Sequence, residues 1–227
     1  MTDSAPQSDP YAAARHRMVE TQIRLRGLAD ERVLSALYDV PRHEFAPPEA
    51  RDRAYLDAPI PIGHGQTMSQ PYTVAFMADA MELAGDEKVL EIGTGSGYGA
   101  AVLAKLAREV WTVERIEDLA ELAALALARL EYDNVHVRVD DGTLGLAEEA
   151  PFDAICVTAG AKSLPEAYVE QLAPGGRIVI PIGEYPRSQT MRRYRKEADS
   201  GLNEEFLGGF AFVPLVGEHG WDSEEDE

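Results

Sequence analysis

The stretch Val89-Leu90-Glu91-Ile92-Gly93-Thr94-Gly95-Ser96-Gly97-Tyr98-Gly99 is the most informative part of this 227-residue chain. A short apolar strand leads directly into a glycine-rich turn, and the apolar segment 100–106 that follows is typical of a helix. Glycines in such a turn adopt backbone conformations closed to other residues and let the main chain approach a ligand. The stretch therefore predicts the first βα turn of a doubly wound α/β domain. A tight turn without a ligand is the alternative, but four alternating glycines would destabilise a turn that binds nothing.

The spacing of the glycines narrows the class of ligand. The dinucleotide motif G-x-G-x-x-G would need glycine where this chain has Tyr98, which disfavours a nicotinamide oxidoreductase. Glu114 follows the next predicted strand, at the position where nucleoside sites of α/β proteins place a carboxylate for the two ribose hydroxyls. The loop and Glu114 together resemble the S-adenosylmethionine site of class I methyltransferases.

Length and composition favour one α/β domain with an extension and a large core. No apolar run approaches the roughly 20 residues needed to span a bilayer. The polar N-terminus Met1–Pro6 is not followed by a signal-peptide core, so we expect a cytoplasmic protein without membrane contact. Cys156 is the only cysteine, which excludes an internal disulfide and a cysteine-rich metal site. The five histidines lack ligand spacing, so no metal site is predicted.

The formal net charge is −19, and only four of the 21 basic residues are lysine. A strongly acidic surface argues against nucleic acid as a partner, because binding its backbone requires clustered Lys and Arg. Abundant Asp and Glu with little Lys suggest a halophilic protein, in which salt screens the self-repulsion. An acidic soluble protein without such adaptation is the alternative.

The chain divides into four predicted segments. Residues 1–10 are expected to be disordered, residues 11–84 to form a helical segment on the substrate side, residues 85–217 to form the Rossmann-like domain, and residues 218–227 to form an acidic tail. The predicted fold is therefore a doubly wound, mostly parallel sheet with an N-terminal helical extension and a C-terminal antiparallel hairpin.

Alternation of helix and strand patterns supports this fold. In chain order the predicted elements are helices at 11–26, 30–37 and 72–83, strand 89–92, helix 100–108, strand 110–113, helix 117–131, strand 135–139, a short helix, strand 152–158, a helix that begins near Ser163 with capping-box spacing and ends at Pro174, strand 177–182, and a hairpin of strands 190–195 and 206–215 around the turn 199–201.

Further candidate residues follow the later strands, at the carboxyl edge where open α/β sheets bind ligands. Asp141 and Gly142 follow the third strand, and Thr158 ends the fourth. Asp141 could accept a hydrogen bond from an adenine amino group, or it could cap the short helix that follows. Thr158 could equally well be a ligand contact or a structural residue.

Ser69 is the candidate for contact with substrate. It lies in the turn Gly63–Pro71 and is well placed as the N-cap of the next helix. A capping hydroxyl accepts from a backbone N–H but keeps its own hydrogen, which it could donate to a substrate carboxylate. Nucleophilic catalysis is less favoured, because no histidine has a recognisable partner arrangement with it.

Over roughly residues 15–216 the chain resembles protein-L-isoaspartate (D-aspartate) O-methyltransferases. The segment Gly65–Tyr72 is the most specific part of this resemblance. The other matching segments are Arg17–Ile23, Arg26–Leu34, Val40–Phe45, Pro151–Ile155 and Phe212–Leu215. Departures are small: Met68 replaces a usual isoleucine, and Asp140 replaces a glycine and adds negative charge near the cofactor.

The resemblance implies that Ser69 is the active-site serine and that S-adenosylmethionine is the cofactor. It assigns the ribose to Glu114, the adenine to Asp141 and Gly142, and closure of the site to a late loop with Gln189. The complete set of expected cofactor contacts is Gln66, Thr67, Met68, Glu91, Gly93, Thr94, Gly95, Ser96, Gly97, Glu114, Arg115, Asp141, Gly142, Thr158 and Gln189.

The expected substrates are isoaspartyl-containing proteins and peptides, methylated on the free carboxylate to begin repair through a succinimide, by a protein expected to be a monomer. A methyltransferase of the same fold that acts on another carboxylate or small molecule is one alternative. A non-catalytic cofactor-binding protein is the other.

Overall fold

The computed structural model describes residues 9–185, 187–197 and 201–222. Most of the N-terminus predicted to be disordered, the acidic end of the chain and the centre of the turn at 199–201 lie outside the described residues. Within them, no helix is both long enough and apolar enough to cross a membrane.

The N-terminal part of the chain is helical, as predicted. Its elements are α1 (Ala12–Met18), a π-helical turn (Val19–Ile23), a 3-10 turn (Arg24–Arg26), α2 (Glu31–Asp39) and two further 3-10 turns (Arg42–Phe45 and Pro48–Arg53). Gly27 ends the first helical stretch in the left-handed conformation, with φ of 98°. The Asp30 side chain caps α2 by accepting from the backbone N–H groups of Arg32 and Val33.

A small antiparallel hairpin connects this helical part to the sheet. It consists of β1 (Ile60–Gly63) and β2 (Gln66–Met68). The two residues between the strands, His64 and Gly65, both have positive φ, which matches the twist of a tight hairpin turn. Helix α3 (Pro71–Ala80) follows and leads to the first strand of the large sheet.

The large sheet has seven strands in the order β5-β4-β3-β6-β7-β8-β9. They are β3 (Lys88–Ile92), β4 (Glu109–Glu114), β5 (Val135–Val139), β6 (Phe152–Val157), β7 (Leu172–Tyr185), β8 (Ser188–Lys196) and β9 (Leu202–Phe210). Neighbours from β5 to β7 are parallel, whereas β8 runs antiparallel to both β7 and β9. The helices between strands are α4 (Tyr98–Ala104), α5 (Glu117–Arg129) and α6 (Glu166–Gln171). The predicted doubly wound sheet with a closing hairpin is therefore confirmed.

Two predictions near α6 are wrong. Ser163 does not cap this helix, because Pro165 stays extended and occupies the N-cap position without a side-chain hydrogen bond. The Pro174-Gly175-Gly176 stretch does not end the helix either, since it lies inside β7. The pairing of β7 with β6 shifts register between Phe152 and Ala154, and such an irregularity accommodates proline and glycine in a strand.

The closing hairpin also has different bounds from those predicted. Strand β9 begins before Phe206 and ends at Phe210, so residues 211–215 are not part of it. These residues leave the sheet and turn back over its carboxyl edge, where Val213 and Leu215 hydrogen-bond to Gly160.

Alternate residues of the central strands face two apolar layers. Val89 packs into the layer that contains Met18 and Leu34 from the N-terminal helices, whereas Leu90 and Ile155 pack into the opposite layer. The helical N-terminal segment therefore shares one core with the sheet, and Glu91 points to the same side as Val89.

Candidate functional site

The order of strands reverses between β3 and β6, and the glycine loop 93–97 lies at the carboxyl end of β3, at that reversal. Open α/β sheets bind ligands there, because chains that leave neighbouring strands diverge and leave a crevice. Gly93 has φ of 95°, and a Cβ on it would lie 2.4 Å from Oγ1 of Thr158. The Thr158 hydroxyl donates to the Gly93 carbonyl at 2.7 Å, so it holds the loop against the end of β6.

Glu114 ends β4 beside this loop, where the sequence predicted a carboxylate. It is 7% exposed. Its Oε2 accepts from the Gly95 N–H at 2.9 Å, and its Oε1 accepts from the Ile116 N–H at 3.1 Å. A carboxylate has about four acceptor positions, so each oxygen retains one for a ligand hydroxyl.

Glu91 lies beneath the loop and is almost fully buried. Its Oε2 accepts from the Thr112 hydroxyl at 2.7 Å, and Thr112 in turn contacts the hydroxyl of Thr94 at 2.7 Å. A Cβ on Gly99 would lie 2.4 Å from Glu91 Oε1, so the fourth glycine of the motif makes room for this carboxyl group. Burial raises the pKa of Glu91 to about 8. The hydrogen bond from Thr112 lowers this pKa, and the negative charge of Glu114 raises it.

Asp141 makes the capping contact that was weighed as an alternative. Its Oδ1 accepts from the Thr143 N–H at 2.9 Å and from the Thr143 hydroxyl at 2.7 Å, and its Oδ2 accepts from the Glu218 N–H at 2.7 Å. Against the effect of burial, the hydrogen bonds from Thr143 and Glu218 lower the pKa of Asp141. The carboxylate therefore joins the chain after β5 to the C-terminal residues.

Ser69 is not the N-cap of α3, so that prediction is wrong. Gln70 occupies the cap position without a side-chain hydrogen bond, because α3 begins at Pro71, one residue later than the predicted cap requires. Ser69 is half-buried. Its carbonyl accepts from Nη2 of Arg42 at 2.7 Å, and within the described part of the chain no hydrogen bond ties down its hydroxyl.

Two adjoining cavities lie around the loop. The first, which we call the loop cleft, is lined among others by Gln66, Thr67, Gly93, Gly95, Glu114, Arg115, Gly142 and Thr158. The second, the serine pocket, is lined among others by Thr67, Met68, Ser69, Glu91, Thr94, Ser96 and Tyr98. Both cavities share Thr67, Gly93, Gly95 and Thr158, so they lie side by side on either side of these residues. The structure thus brings most of the predicted contacts together.

Three predicted contacts line neither cavity. Gly97 serves as the left-handed N-cap of α4, and Asp141 acts through the hydrogen bonds described above. Gln189 lies on β8, where its Oε1 accepts from the Phe212 N–H at 2.9 Å and its Nε2 donates to the Tyr185 carbonyl at 3.3 Å. Gln189 therefore positions the late loop without lining either cavity, because both ends of its amide are hydrogen-bonded to backbone groups.

Sequence reasoning missed the residues that roof the loop cleft. Residues 213–216 line it directly, although Phe212–Leu215 was recognised only as a matching motif. The indole of Trp221 donates to the Gly160 carbonyl at 2.9 Å, and the His219 N–H donates to the Thr143 hydroxyl at 3.2 Å. Residues 218–221, predicted to belong to the acidic tail, thus pack against the domain.

Among the described residues, no group of three or more His, Cys, Asp or Glu side chains is arranged to hold a metal ion. The available chemistry is instead that of a nucleoside site next to a neutral hydroxyl. A buried carboxylate with free acceptor positions and a glycine loop at the reversal of a doubly wound sheet fit the nucleoside and amino-acid parts of S-adenosylmethionine. Fold and site together define a class I methyltransferase.

Comparison with known proteins identifies the family. The family model for protein-L-isoaspartate (D-aspartate) O-methyltransferase matches residues 13–220. A protein-L-isoaspartate O-methyltransferase of Geobacter metallireducens is 55% identical over 215 residues, which cover 95% of this chain and 99% of that protein. One of Trichlorobacter lovleyi is 54% identical over 211 residues, covering 93% and 97%.

Solved structures agree with this result. One protein-L-isoaspartate O-methyltransferase superposes with a TM-score of 0.80 at 29% identity and covers 91% of this chain and 67% of its own. A second, from Plasmodium falciparum in complex with S-adenosyl-L-homocysteine, gives a TM-score of 0.75 at 26% identity, covering 89% and 98%. The chain belongs to the protein-L-isoaspartate (D-aspartate) O-methyltransferase family. The predicted fold, enzymatic activity and cofactor are thereby confirmed.

Proposed function

We propose that Ser69 aligns the free carboxylate of an isoaspartyl residue for methylation and that the loop cleft holds S-adenosylmethionine. The observation that carries this proposal is the position of half-buried Ser69, which lines a pocket that adjoins the cleft and shares four lining residues with it. Its hydroxyl is not engaged by the described residues and is therefore available to a ligand.

The cofactor supplies a methyl group activated by its sulfonium. The Glu114 carboxylate accepts hydrogen bonds from the ribose hydroxyls with its remaining lone pairs. The backbone of the glycine loop packs against the cofactor. Gly142 borders the adenine end, and the segment 213–216 covers it. Asp141 contributes to adenine binding next to the contacts that it makes with Thr143 and Glu218.

The acceptor carboxylate needs no general base. Its reference pKa of about 4 leaves it ionised at neutral pH, so it attacks as it enters. Ser69 donates one neutral hydrogen bond, which orients an oxygen without removing much of its nucleophilicity. Residues 213–216 shield the cofactor end of the site from water.

Glu91 has an electrostatic role in this arrangement. Because burial raises its pKa to about 8, it is mostly protonated at neutral pH and adds little negative charge to the serine pocket. The acceptor carboxylate therefore meets less repulsion than the count of acidic residues suggests.

In the cell, the resulting methyl ester closes to a succinimide that reopens partly as normal aspartate, so the reaction repairs damaged proteins. We propose that D-aspartyl residues are also acceptors, and that the protein works as a cytoplasmic monomer that does not bind nucleic acid. Its net charge of −19 supports the last point. Sedimentation of the purified protein tests the oligomeric state, and a dimer would contradict the proposal.

The experiment that tests the function measures transfer of radiolabelled methyl groups from S-adenosylmethionine to an isoaspartyl peptide, with the aspartyl twin as control, at low and at molar salt. Labelling of the isoaspartyl peptide alone supports the proposal. Labelling of neither peptide would move the function to another carboxylate or small molecule. Bound cofactor without turnover of any acceptor would indicate a non-catalytic protein.

A further inference from the structure

Arg42 is an unusual residue in this fold. It begins the 3-10 turn Arg42–Phe45 and is completely buried. No carboxylate in the described part of the chain forms an ion pair with it, although most other buried or half-buried arginines do. A buried cation without a counter-ion costs several kcal/mol unless other groups stabilise it.

The contacts of Arg42 connect it to the reaction site. Its Nε donates to the Ala54 carbonyl at 2.7 Å, and its Nη2 donates to the Ser69 carbonyl at 2.7 Å. Its guanidinium lies over the ring of Tyr98, 4.7 Å from the centroid. Its Nη1 and the Tyr98 hydroxyl are both buried, and apart from each other they have no hydrogen-bond partner among the described residues. The cation thus lies directly behind Ser69 and against a ring that lines the serine pocket.

The serine pocket itself has no basic lining. Neither Lys nor Arg occurs among the described residues that line it, and the nearby carboxyl groups are those of Glu91 and Glu114. An anionic acceptor must therefore leave water and enter a site in a protein with a net charge of −19. A positive charge behind the wall of the pocket would offset part of this cost.

We propose that Arg42 is a specificity-determining residue that selects the ionised acceptor carboxylate through its charge, in addition to bracing Ser69. This inference rests on the proposed substrate. Covalent geometry places a carboxylate at the Ser69 hydroxyl within roughly 10 Å of the guanidinium. At the effective dielectric constant of such sites, a unit charge at that distance changes affinity by about tenfold. After methylation the acceptor is neutral, so the same charge no longer retains it and the ester leaves.

The test compares binding of two peptides to the enzyme loaded with S-adenosylhomocysteine, which permits no turnover. One peptide carries an L-isoaspartyl residue, and its twin carries a carboxamide in place of the free carboxylate. Calorimetry gives the ratio of the two dissociation constants for wild type, Arg42→Met and Arg42→Lys. Arg177→Met is the matched control, because Arg177 is a mostly buried arginine on β7 that is paired with Glu87 and lines neither cavity.

We expect wild type to bind the isoaspartyl peptide more tightly than its carboxamide twin. Arg42→Met should lose about tenfold of this preference, because it binds the isoaspartyl peptide alone more weakly. Arg42→Lys should keep the preference within about threefold. Arg177→Met should leave the ratio unchanged. A residue that only braces the backbone would weaken both peptides alike in Arg42→Met, and this result would overturn the proposal, as would loss of the preference in Arg42→Lys.

If Arg42→Met does not fold, Arg42→Gln makes the same comparison, because its amide can still donate to one of the two carbonyls. A wild-type ratio in that variant also overturns the proposal. Failure of the substrate assignment looks different, since wild type would then bind neither peptide while still binding the cofactor.

Discussion

Ser69 and the residues around it show how little chemistry this site requires of its side chains. The Ser69 hydroxyl lines the serine pocket without a hydrogen bond from the described residues, and the carboxyl group in the pocket lining, Glu91, is largely protonated at neutral pH. The acceptor brings its own negative charge, so catalysis depends on alignment and on exclusion of water. We therefore expect some substitutions of single residues to reduce methyl transfer alone and others to reduce cofactor affinity.

Ser69→Ala removes the hydroxyl that aligns the acceptor. We expect methyl transfer to fall by about a hundredfold, the range for loss of one well-placed donor, with affinity for S-adenosylhomocysteine nearly unchanged. Steady-state kinetics and calorimetry measure the two effects. Ser163→Ala is the control, because Ser163 is exposed and caps no helix. Undiminished turnover in Ser69→Ala would show that Ser69 only lines the pocket.

Glu114→Gln keeps the shape of the side chain but removes its charge. The amide can still accept from one of the two backbone N–H groups at Gly95 and Ile116, so one of these contacts is lost together with the charged acceptor for the ribose. We expect affinity for S-adenosylhomocysteine to fall by roughly tenfold or more. Equal affinities by calorimetry would remove the ribose assignment.

The raised pKa of Glu91 makes a prediction about stability. The folded protein holds this proton up to about pH 8, whereas the unfolded chain releases it near 4.5. The contribution to the free energy of unfolding is therefore fully present below pH 4.5 and is lost as pH rises towards 8. Glu91→Gln, which stays neutral, should gain on wild type over this range by several kcal/mol at most.

Denaturant unfolding of wild type and Glu91→Gln without cofactor, at about pH 5 and about pH 8, checks this sign. A difference between the two proteins that does not change with pH would mean that Glu91 titrates in the folded protein as it does in the unfolded chain.

At the scale of elements, the C-terminal segment 211–221 is the part that completes the loop cleft. Three of the contacts that hold it join Gln189 to Phe212, Gly160 to Val213 and Leu215, and Asp141 to Glu218. Each anchor is a polar side chain or backbone group on a different element. Closure of the cleft therefore depends on contacts between segments that are far apart in the chain.

Gly217→Ala tests this closure. A Cβ at position 217 would lie 2.0 Å from Oδ1 of Asp141, so the segment must move away from its anchor. We expect roughly tenfold weaker binding of S-adenosylhomocysteine, mainly through faster dissociation, which stopped-flow measurements resolve. Gly209→Ala is the matched control, because a Cβ there meets nothing within 4 Å. Equal dissociation rates in the two variants would contradict a role for the segment in retaining the cofactor.

At the scale of the whole molecule, the excess of acidic residues dominates. The chain has 40 Asp and Glu against 21 Lys and Arg. Several arginines are used in ion-pair clusters, such as Arg193 and Arg195 with Glu82 and Glu205. Because these clusters neutralise only part of the surface, the remaining carboxylates repel one another at low salt.

We therefore expect the melting temperature to rise between low and molar KCl by about 5 °C or more, the shift that roughly 1–2 kcal/mol produces in a protein of this size. Repeating the salt series near the sequence pI of 4.6, where self-repulsion is small, should give a much smaller rise. A melting temperature that falls with salt at neutral pH would contradict the halophilic interpretation.

Patterns that are local in the chain were enough to predict the fold and most of the loop cleft. The glycine loop, Glu114 and the strand at 135–139 were placed correctly, because turn chemistry and side-chain periodicity act over a few neighbouring residues. The hairpin at the C-terminus was also predicted, although its second strand ends earlier than expected, at Phe210.

Contacts between distant segments could not be read from such patterns. The Arg42 side chain lies behind Ser69, Gln189 holds Phe212, and Asp141 holds Glu218, and in each pair the partners are far apart in sequence. The cap predicted at Ser69 was wrong for a local reason instead, because Pro71 occupies the first position of α3 and Gln70 is therefore the cap. Local preferences select the elements, whereas packing of their apolar faces into one core determines which polar groups meet.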